Sequence, residues 1–533
     1  MKSFAEKRLQ PRHSEGQYYT AERTYMHWNS NWDSKIRPIG EDGRRAFLGL
    51  VEVDRDDKDE VNGGWVTFDS YELGRLGPGP FGFFDNKGGL AAFRASFKAA
   101  SRRFPNLTGE DGGWVLFEAS IQLKEEALIA EVILFGDIQE QGSEPPLVGI
   151  SRLEIIPEQE TGYLKHYAML TGEKRSPAWL ISAMLNIPLQ DISTQDLAVA
   201  VYDVGQGNCN ALVDGCARPR IFYDYGWAPN FHAKSRPAAQ PSFHCCDFGQ
   251  AAPVVLSHWD MDHWCYAIKK STFNPGSLTT RHEWRDEALQ RFWIARRPKF
   301  KKHQLGPLSQ SFYRALRKST PYGNLRAILL WPDKLKRVDF DAGWLEACEA
   351  PPGALADRNN SGIAMFVRQR RMGPAILLPG DADFPSIPSL RGSAGSRLAG
   401  LVAPHHGARV TPGCVPDPMS GSPSRLVISV GKDNSYGHPR EEAIREYLNR
   451  NWELSSTQDR VRCTEFGAWH ADHMNGNTLL KFENAASDST NSASITHGHL
   501  CLRPSEGPFA TPVPGKSKAS KKAKESRYVG NVR

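Results

Sequence analysis

The chain has 533 residues, 40% of them hydrophobic and 24% charged, which is typical of globular proteins and long enough for two to four domains. It contains no run of about 18 consecutive apolar residues and starts without an apolar signal segment, so we expect a cytoplasmic protein that does not enter membranes. Nine irregularly spaced cysteines argue against a disulfide framework, and a net charge of +6 is mild for this length.

Residues 1–195 are predicted to form a separate, strand-rich α+β domain. Turn signals of Gly, Asp and Asn separate its five predicted strands. These strands are Ala46–Val53, Gly64–Leu73, Trp114–Leu123, Ala127–Phe135 and Leu147–Ile156. One helix is predicted between them, because five apolar residues recur at helical spacing: Leu90, Phe93, Phe97, Ala100 and Phe104. The domain has no cluster of ligand-type side chains, so we expect it to be structural, to grip a substrate or to bind a protein partner.

The second predicted domain spans residues 196–503, with an insertion at about 267–352, and a basic tail at 504–533 is expected to be disordered. Its most informative stretch follows a short buried strand that starts at Val254. Four ligand-type side chains occur there within six residues: His258, Asp260, Asp262 and His263. Burying that much polar chemistry without compensation is costly, which indicates a bound cation. The alternative is a solvated loop in which Asp262 only caps a following helix.

Three further predicted strands also end in ligand-type residues. Asp381 follows Ala375–Leu378, His405 and His406 follow Leu401–Ala403, and His438 follows Leu426–Val430. Four such strand ends in one domain are expected to converge on one rim of a sheet sandwich. Each histidine has a simpler alternative: His405 and His406 can pack at a strand end, and His438 can be a turn residue before a helix.

The predicted insertion carries alternating basic and aromatic residues. The basic ones are Arg291, Arg296, Arg297, Lys299, Lys301 and Lys302, and the aromatic ones are Phe292, Trp293 and Phe300. Cations interleaved with aromatic rings suit phosphates and stacked bases, so Arg296, Arg297 and Lys299 are predicted substrate contacts. A solvated amphipathic helix that leads into a loop is an equally good explanation.

Five motifs in order resemble the metallo-β-lactamase superfamily, and most closely its ComEC-like hydrolases, the soluble domain of a bacterial DNA-uptake protein and its stand-alone relatives. The motifs are Asp203-Val-Gly-Gln-Gly207, Ser257-His-Trp-Asp-Met-Asp-His263, Gly380-Asp381, Pro404-His-His-Gly407 and Asn434-Ser-Tyr-Gly-His-Pro439. The resemblance covers roughly residues 197–500. Asp260 stands where most members have a second histidine, a change that ComEC-like members share, and Trp264-Cys-Tyr-Ala267 replaces the usual Gly-Gly after His263.

The resemblance implies an α/β fold, the αββα sandwich of the superfamily, and a pair of divalent cations, Zn or Mn with Mg also possible. It places His258 and Asp260 on the first metal, Asp262 and His263 on the second, and Asp381 between them. The shells would be completed by His405, or its neighbour His406, and by His438.

The resemblance also implies roles around the metals. Asp262 would orient the attacking water, Lys432 or Arg409 would stabilise the developing charge, and Asp203 would support the site from behind. Asn434 and Tyr436 are candidate substrate contacts, with a role in the turn as the alternative.

Three functions are compatible with these features. The leading hypothesis is a cytoplasmic phosphodiesterase or nuclease that cleaves DNA with a water activated by two metals. The second is a metallo-hydrolase of a small ester, thioester, lactone or nucleotide, since one fold hosts many chemistries. The third is a binding or regulatory component of a bacterial antiviral defence system, docked through residues 1–195.

Overall fold

The structure, a computed structural model, describes residues 43–481 apart from 56–60, 74–88, 110, 137–143, 194–196, 216–217, 237–251, 301–302, 352–356, 370–372, 374, 392–397, 421–423, 432–433, 435, 457–461, 464–466 and 469–477. Lys432 and the basic tail at 504–533 lie outside the described residues. None of the described helices is long and apolar enough to cross a membrane.

The first part of the chain is a closed barrel of six antiparallel strands. The strands and the helix that interrupts them are β1 (Arg45–Arg55), β2 (Gly64–Glu72), β3 (Leu90–Ser96), α1 (Phe97–Arg103), β4 (Trp114–Ser120), β5 (Leu128–Val132) and β6 (Leu147–Ile155). They pair in the order β3-β2-β1-β4-β6-β5, and β5 closes the barrel by pairing with β3 at Phe93 and Val132. The rings of Phe47, Phe93 and Phe117 meet inside it at centroid distances of 5.3 to 6.0 Å. The five strands predicted here are confirmed, with ends that differ by at most three residues.

The helix predicted over Leu90–Phe104 is wrong in its first half. Residues Leu90–Ser96 form β3, which is paired on both edges, and only Phe97–Arg103 are helical. A wall strand of the barrel with buried residues on both faces contains apolar residues at every spacing, including the helical one. Ser96 marks the change, because its side chain accepts the N–H of Ala99 and caps α1.

The remaining helices and strands follow in chain order. They are α2 (Gly162–Ala168), α3 (Ala178–Asn186), β7 (Ala198–Val201), β8 (Cys209–Val213), β9 (Pro219–Tyr225), β10 (Val254–Val255), β11 (Ile268–Asn274), β12 (Thr279–Trp284), α4 (Asp286–Leu289), β13 (Trp293–Ala295), α5 (Pro307–Lys318), β14 (Ile328–Leu330), β15 (Arg337–Phe340), β16 (Gly343–Ala347), β17 (Ile363–Arg368), β18 (Ala375–Leu378), β19 (Leu398–Val402), β20 (Arg425–Ile428), α6 (Glu441–Asn449), β21 (Glu453–Ser456), β22 (Arg462–Cys463), β23 (Gly467–Ala468) and β24 (Thr478–Lys481).

Most of these strands form two sheets of seven strands each. The first sheet has the order β14-β13-β10-β9-β8-β7-β24, and in the second the strands β15 to β21 lie side by side in chain order. Their facing sides share one apolar core, to which the first sheet contributes Val199 and Ile221 and the second Met365 and Ile376. In the first sheet β10 is parallel to β9 and β13, and in the second β18, β19 and β20 are parallel. The carboxyl ends of β10, β18, β19 and β20 carry the predicted ligands.

The expected αββα sandwich is wrong for this chain. The structure contains the closed antiparallel barrel, and strands predominate over helices among the described residues, where the longest helix has 12 residues. The outer face of the first sheet explains the difference. It is covered by α5 with Phe312, by the short helix α4 with Ala288, by the loop at Trp264, and by Ile133 and Phe135 next to the barrel. Barrel and loop residues therefore occupy space that a complete helical layer would need.

The segment at 267–352 links the barrel to the first sheet. Its hairpin β11–β12 extends the barrel sheet, because Thr280 of β12 pairs with Leu90 of β3. Its strands β13 and β14 complete one side of the first sheet. Asp69 of β2 also accepts the N–H of Leu308 at 3.0 Å, so a barrel side chain holds the start of α5. These contacts fix the barrel beside the strand end that carries His258.

Candidate metal centre

The predicted ligands of three strand ends, those of β10, β18 and β19, lie next to one another. His258, Asp260, Asp262 and His263 follow β10, and the last three residues of this stretch form a single 3-10 turn. Asp381 follows β18 and His405 and His406 follow β19. We call these seven residues the metal centre. Two groups within it each have ligand atoms that all lie within 4.8 Å of one another: His258, His263 and Asp381, and Asp262, His263 and His406.

Asp381 directs its two carboxylate oxygens to different histidines. Its Oδ1 lies 3.1 Å from His263 Nε2, whereas its Oδ2 lies 3.7 Å from His258 Nε2 and 3.6 Å from His405 Nε2. Ligand atoms that share one cation at bond lengths of about 2.0–2.2 Å are roughly 3 to 3.5 Å apart. Asp381 therefore offers one oxygen on the side of His263 and the other on the side of His258 and His405.

Asp262 completes the second group, together with His263 and His406. Its Oδ2 lies 3.1 Å from His406 Nε2, and its Oδ1 lies 3.8 Å from His263 Nε2. On the other side of the centre, Asp260 Oδ2 lies 3.2 Å from His258 Nε2. The two aspartates of the β10 loop thus contact different histidines, Asp260 on the side of His258 and Asp262 on the side of His263 and His406.

Buried oxygen acceptors fix the ring orientation of His258 and His263. His263 Nδ1 lies 2.8 Å from Asp224 Oδ2, a carboxylate that can only accept, so Nδ1 carries the proton. Ser257 donates its hydroxyl to the same carboxylate at 2.9 Å, and its oxygen lies 3.0 Å from His258 Nδ1. Both imidazoles therefore present an unprotonated Nε2 to the centre when neutral. In metal sites, the histidine ring nitrogen that does not bind the metal commonly donates its proton to such an oxygen acceptor.

The same reasoning separates His406 from His405. His406 Nδ1 lies 2.8 Å from the carbonyl oxygen of Ser429, so Nδ1 donates and Nε2 is left as a ligand atom. His405 Nδ1 instead faces the amide nitrogen of Asn359 at 3.2 Å and accepts from it, which leaves the proton on Nε2. His406 is also buried whereas the His405 side chain is 40% exposed. The contacts favour His406 as the ligand and His405 as a hydrogen-bond donor at the mouth of the centre.

The donor atoms fit a cation. His258 Nε2, His263 Nε2 and Asp381 Oδ1 are buried and make no hydrogen bond of acceptable geometry among the described residues, although His263 Nε2 and Asp381 Oδ1 are close enough for an ion pair. A buried polar atom without a hydrogen bond costs about 1–3 kcal/mol. Three such atoms at one point, all of ligand type, are what a divalent cation would satisfy.

The charges of the centre shift its pKa values in opposite directions. Burial lowers the pKa of His263, but the carboxylates of Asp381, Asp224 and Asp262 outweigh burial and raise it well above its usual range. Asp262 has the same effect on His406 against the burial of that ring, so its pKa is also raised. Burial raises the pKa of Asp381, but His263 outweighs it and holds this pKa well below its usual range. Without a metal, His263 and His406 therefore hold their protons to a higher pH than ordinary imidazoles do.

His438 lies beside the centre but outside both three-residue groups. Its ring centroid is 5.5 Å from that of His405 and 6.5 Å from that of His406. Burial, followed by the neighbouring imidazoles, lowers its pKa well below the usual range, so the ring is neutral. Asn434 holds the turn around His438, donating to the carbonyl of His438 at 2.8 Å and accepting its N–H at 3.0 Å. Asn434 thus has the turn role that was the alternative to substrate contact.

A cleft of ≈ 670 Å³ opens onto the metal centre. Its floor includes Asp262, Asp381 and His406, and its rim carries Arg409 and Arg440. One wall comes from the barrel and its loops: Glu52, Val53, Asp54, Arg55, Thr67 and Asp111. A further wall is aromatic and consists of Phe231, His232, Tyr436 and His438, whose neighbouring ring centroids are 4.6 to 5.8 Å apart. The barrel part of the chain, whose sequence contains no cluster of ligand-type side chains, therefore lines the cleft.

Comparison with models of known protein families and with curated proteins finds no match for this chain. Its function is therefore inferred from its own residues and their geometry.

The three predicted substrate contacts of the basic segment do not line this cleft. Arg296 is buried and donates Nη1 to the carbonyls of Cys348, Ser361 and Gly362 at 2.6 to 2.8 Å. Arg297 forms a two-armed ion pair with Asp333 at 2.7 and 2.8 Å. Both border a separate cavity of ≈ 30 Å³ behind His258. The segment contains the core strand β13, so its alternating pattern reflects buried rings and arginines that satisfy backbone carbonyls.

Lys299, the third of these residues, is half-buried, and burial followed by the charge of Arg296 lowers its pKa. Asp203, expected behind the site, accepts the N–H of Gly205 at 3.3 Å in the turn after β7. The carboxylate that supports the site directly is Asp224, through His263 Nδ1, and no motif in the sequence singles it out. Its position is a usable signal, because Asp224 is the penultimate residue of β9 and so lies close to the carboxyl end of its strand, as the predicted ligands do.

Proposed function

We propose that this chain is a metal-dependent hydrolase of phosphodiesters, with nucleic acid, DNA in the first place, as its substrate. The observation that carries the proposal is the convergence of three Nε2 atoms, from His258, His263 and His406, whose rings are each oriented by an oxygen acceptor at Nδ1. With Asp262 and Asp381 they supply the nitrogen and carboxylate donors that Zn²⁺ and Mn²⁺ accept.

Two divalent cations, when bound, acidify a water molecule and withdraw charge from a phosphoryl oxygen. The rest of the proposed mechanism belongs to the residues of the chain. Burial raises the pKa of Asp262, but His263 outweighs it and lowers the pKa, so this carboxylate is ionised. It also borders the cleft, where it would orient the attacking water and accept its proton. His405, with Nε2–H at the mouth, would donate a hydrogen bond to the departing oxygen.

Charge in the cleft supports an anionic substrate. The Arg409 side chain is 65% exposed and has an ion pair with Glu442 at 4.0 Å, which is long and solvent-screened. A phosphate at the rim would compete readily for this guanidinium, because arginine forks match phosphate oxygens. The predicted role of Lys432 stays a prediction, since this residue lies outside the described ones.

The size of the cleft supports a second candidate, a small phosphoester such as a nucleotide. Small-molecule sites typically enclose about 300–1,000 Å³, and the cleft measures ≈ 670 Å³. The engagement of Arg296 and Arg297 in other contacts also removes one reason to expect a long polymer. The aromatic wall, with Phe231 and Tyr436, would accept a base in either case.

The motif resemblance to ComEC-like hydrolases supports the chemistry through the ligand residues alone, because the overall architecture departs from the superfamily sandwich. A cytoplasmic location and a protein partner of residues 1–195 likewise stay proposals from the sequence.

The test is a hydrolysis assay on metal-stripped full-length protein. Mn²⁺, Zn²⁺ or Mg²⁺ is added back with bis(p-nitrophenyl) phosphate, a dinucleotide, single-stranded DNA or plasmid as the substrate. We expect metal-dependent cleavage of at least one phosphodiester and its loss in the Asp262→Asn/His263→Asn variant. Arg297→Met is the matched control, because Arg297 pairs with Asp333 away from the cleft. Wild-type protein that binds no metal, or a double variant that cleaves normally, would overturn the proposal.

A further inference from the structure

Arg358 connects the barrel to the metal centre. Its Nη1 lies 2.9 Å from Asp260 Oδ1, and its Nη2 lies 3.0 Å from Glu52 Oε1. Glu52 belongs to β1 of the barrel, whereas Asp260 follows β10 of the first sheet. The three side chains are only 21 to 27% exposed, so solvent screens their charges weakly. A guanidinium with one arm on each carboxylate is a rigid connector between the two parts of the molecule.

The two oxygens of Asp260 have different partners as a result. Oδ1 is held by Arg358, and Oδ2 lies 3.2 Å from His258 Nε2, on the side of the first cation. A free aspartate can offer a cation one oxygen or both. Arg358 holds Oδ1, so Asp260 presents Oδ2, the oxygen beside His258, to a cation.

The charges of the connector are also balanced. Arg358 places a positive charge beside a centre that is expected to bind cations, which by itself opposes metal binding. Glu52 supplies the compensating negative charge from the barrel at 3.0 Å. Burial raises the pKa of Glu52, and the guanidinium of Arg358 opposes this effect.

We propose that Glu52 and Arg358 form a positioning pair that makes Asp260 a one-oxygen ligand and sets the affinity of the first cation. The barrel thereby controls the metal centre, in addition to forming a wall of the cleft. This inference rests on the proposed metal-dependent function and extends it to residues that no ligand motif contains.

The experiment uses metal-stripped full-length protein and Co²⁺ as the probe. Binding is measured by calorimetry, and coordination by the visible absorption of Co²⁺, whose intensity falls as the number of ligands rises. Glu52→Gln leaves the charge of Arg358 uncompensated and should weaken Co²⁺ binding about ten-fold, as expected for a residue that acts through a ligand. Arg358→Met frees Oδ1 of Asp260, so it should bind Co²⁺ at least as tightly as wild type, with weaker absorption.

The double variant Glu52→Gln/Arg358→Met separates charge from geometry. It removes both charges, so its affinity should return towards wild type, while its absorption should stay as weak as that of Arg358→Met. A merely structural role of the ion pair would instead weaken Co²⁺ binding in both single variants and more in the double one. Arg297→Met, which removes an arginine from the Asp333 ion pair, controls for loss of charge elsewhere and should match wild type.

The outcomes are distinct. Wild-type protein that binds no Co²⁺ overturns the proposed function and this inference together. Wild-type binding with unchanged affinity and spectrum in all three variants overturns only the inference, and so does equal weakening in both single variants. Thermal melting identifies a variant that fails to fold. If another variant fails to fold, the Co²⁺ affinity of Glu52→Gln tests the proposal by itself, because this substitution keeps the size of the side chain.

Discussion

His406 Nε2 lies 3.1 Å from Asp262 Oδ2, although the two residues are 144 positions apart in the chain and end strands of different sheets. The contact is possible because the two sheets pack face to face, which places the carboxyl ends of β10 and β19 side by side. The contact therefore places Asp262, which follows a strand of the first sheet, next to His406, which follows a strand of the second. The neighbouring His405 points to the other side of the metal centre and to the cleft.

The two adjacent histidines should therefore differ as ligands. We expect His406→Asn to weaken Mn²⁺ or Zn²⁺ binding about 100-fold or more, because it removes a ligand atom that Ser429 orients. His405→Asn should weaken binding by about ten-fold at most. Asparagine suits both sites, since each histidine has a positive φ, 48° for His405 and 56° for His406, which Asn tolerates. Calorimetric titration decides the point, and a larger loss in His405→Asn would reverse the assignment.

Asp224 should control metal binding without touching the metal. Its Oδ2 lies 2.8 Å from His263 Nδ1, and its Oδ1 accepts the N–H of Ser257 at 2.7 Å. In Asp224→Asn an amide of equal size weakens the acceptor, so His263 loses its fixed tautomer, and we expect metal affinity to fall about 10- to 100-fold. Asp333→Asn, at an exposed ion pair away from the centre, is the control. Wild-type affinity in Asp224→Asn would show that His263 needs no orientation.

Metal binding should grow stronger with pH. The pKa values of His263 and His406 are raised in the metal-free protein by their carboxylate neighbours, so a cation must displace protons from them. For the same reason, these ion pairs stabilise the metal-free protein fully below the unfolded histidine pKa of about 6.5, and the benefit disappears as pH rises through the raised folded values. The gain in melting temperature on adding Zn²⁺ should therefore increase from about pH 6 to about pH 8.5. A gain that is constant with pH would contradict protonated imidazoles in the metal-free state.

Local signals explain which parts of the fold could be predicted. Five of the six barrel strands could be predicted because each has its own apolar pattern between turn residues, whereas β3 was predicted as part of a helix. The closure of the barrel could not be predicted, since it depends on β3 meeting β5 at Phe93 and Val132. The αββα expectation failed for a related reason. A motif series gives the ligands but contains no information on whether helices or a barrel cover the outer face of the sheet.

In the metal centre, too, local features could be predicted from the sequence and long-range contacts could not. The ligands were predicted because they end apolar strands, a feature of the sequence itself. The choice between His405 and His406 depends on Ser429 and Asn359, which are remote in sequence and carry no metal-site signature. Arg296 was misjudged because a pattern of charge does not reveal burial. Its guanidinium satisfies three carbonyls in the interior.

Gly226 should be irreplaceable because the loop of Asp262 lies directly on it. A Cβ at Gly226 would come within 1.8 Å of the carbonyl oxygen of Asp262 and 2.6 Å of that of Asn208, both rigid backbone atoms. We expect Gly226→Ala to cost about 1 to 3 kcal/mol of folding free energy and to displace Asp262 and His263, with loss of metal binding. Gly109→Ala is the matched control, because a Cβ there meets nothing within 4 Å. Denaturant unfolding and metal titration measure the two effects. A Gly226→Ala variant with wild-type metal affinity would mean that the loop can move without disturbing its ligands, and the rigid placement of Asp262 beside His406 would then no longer explain the centre.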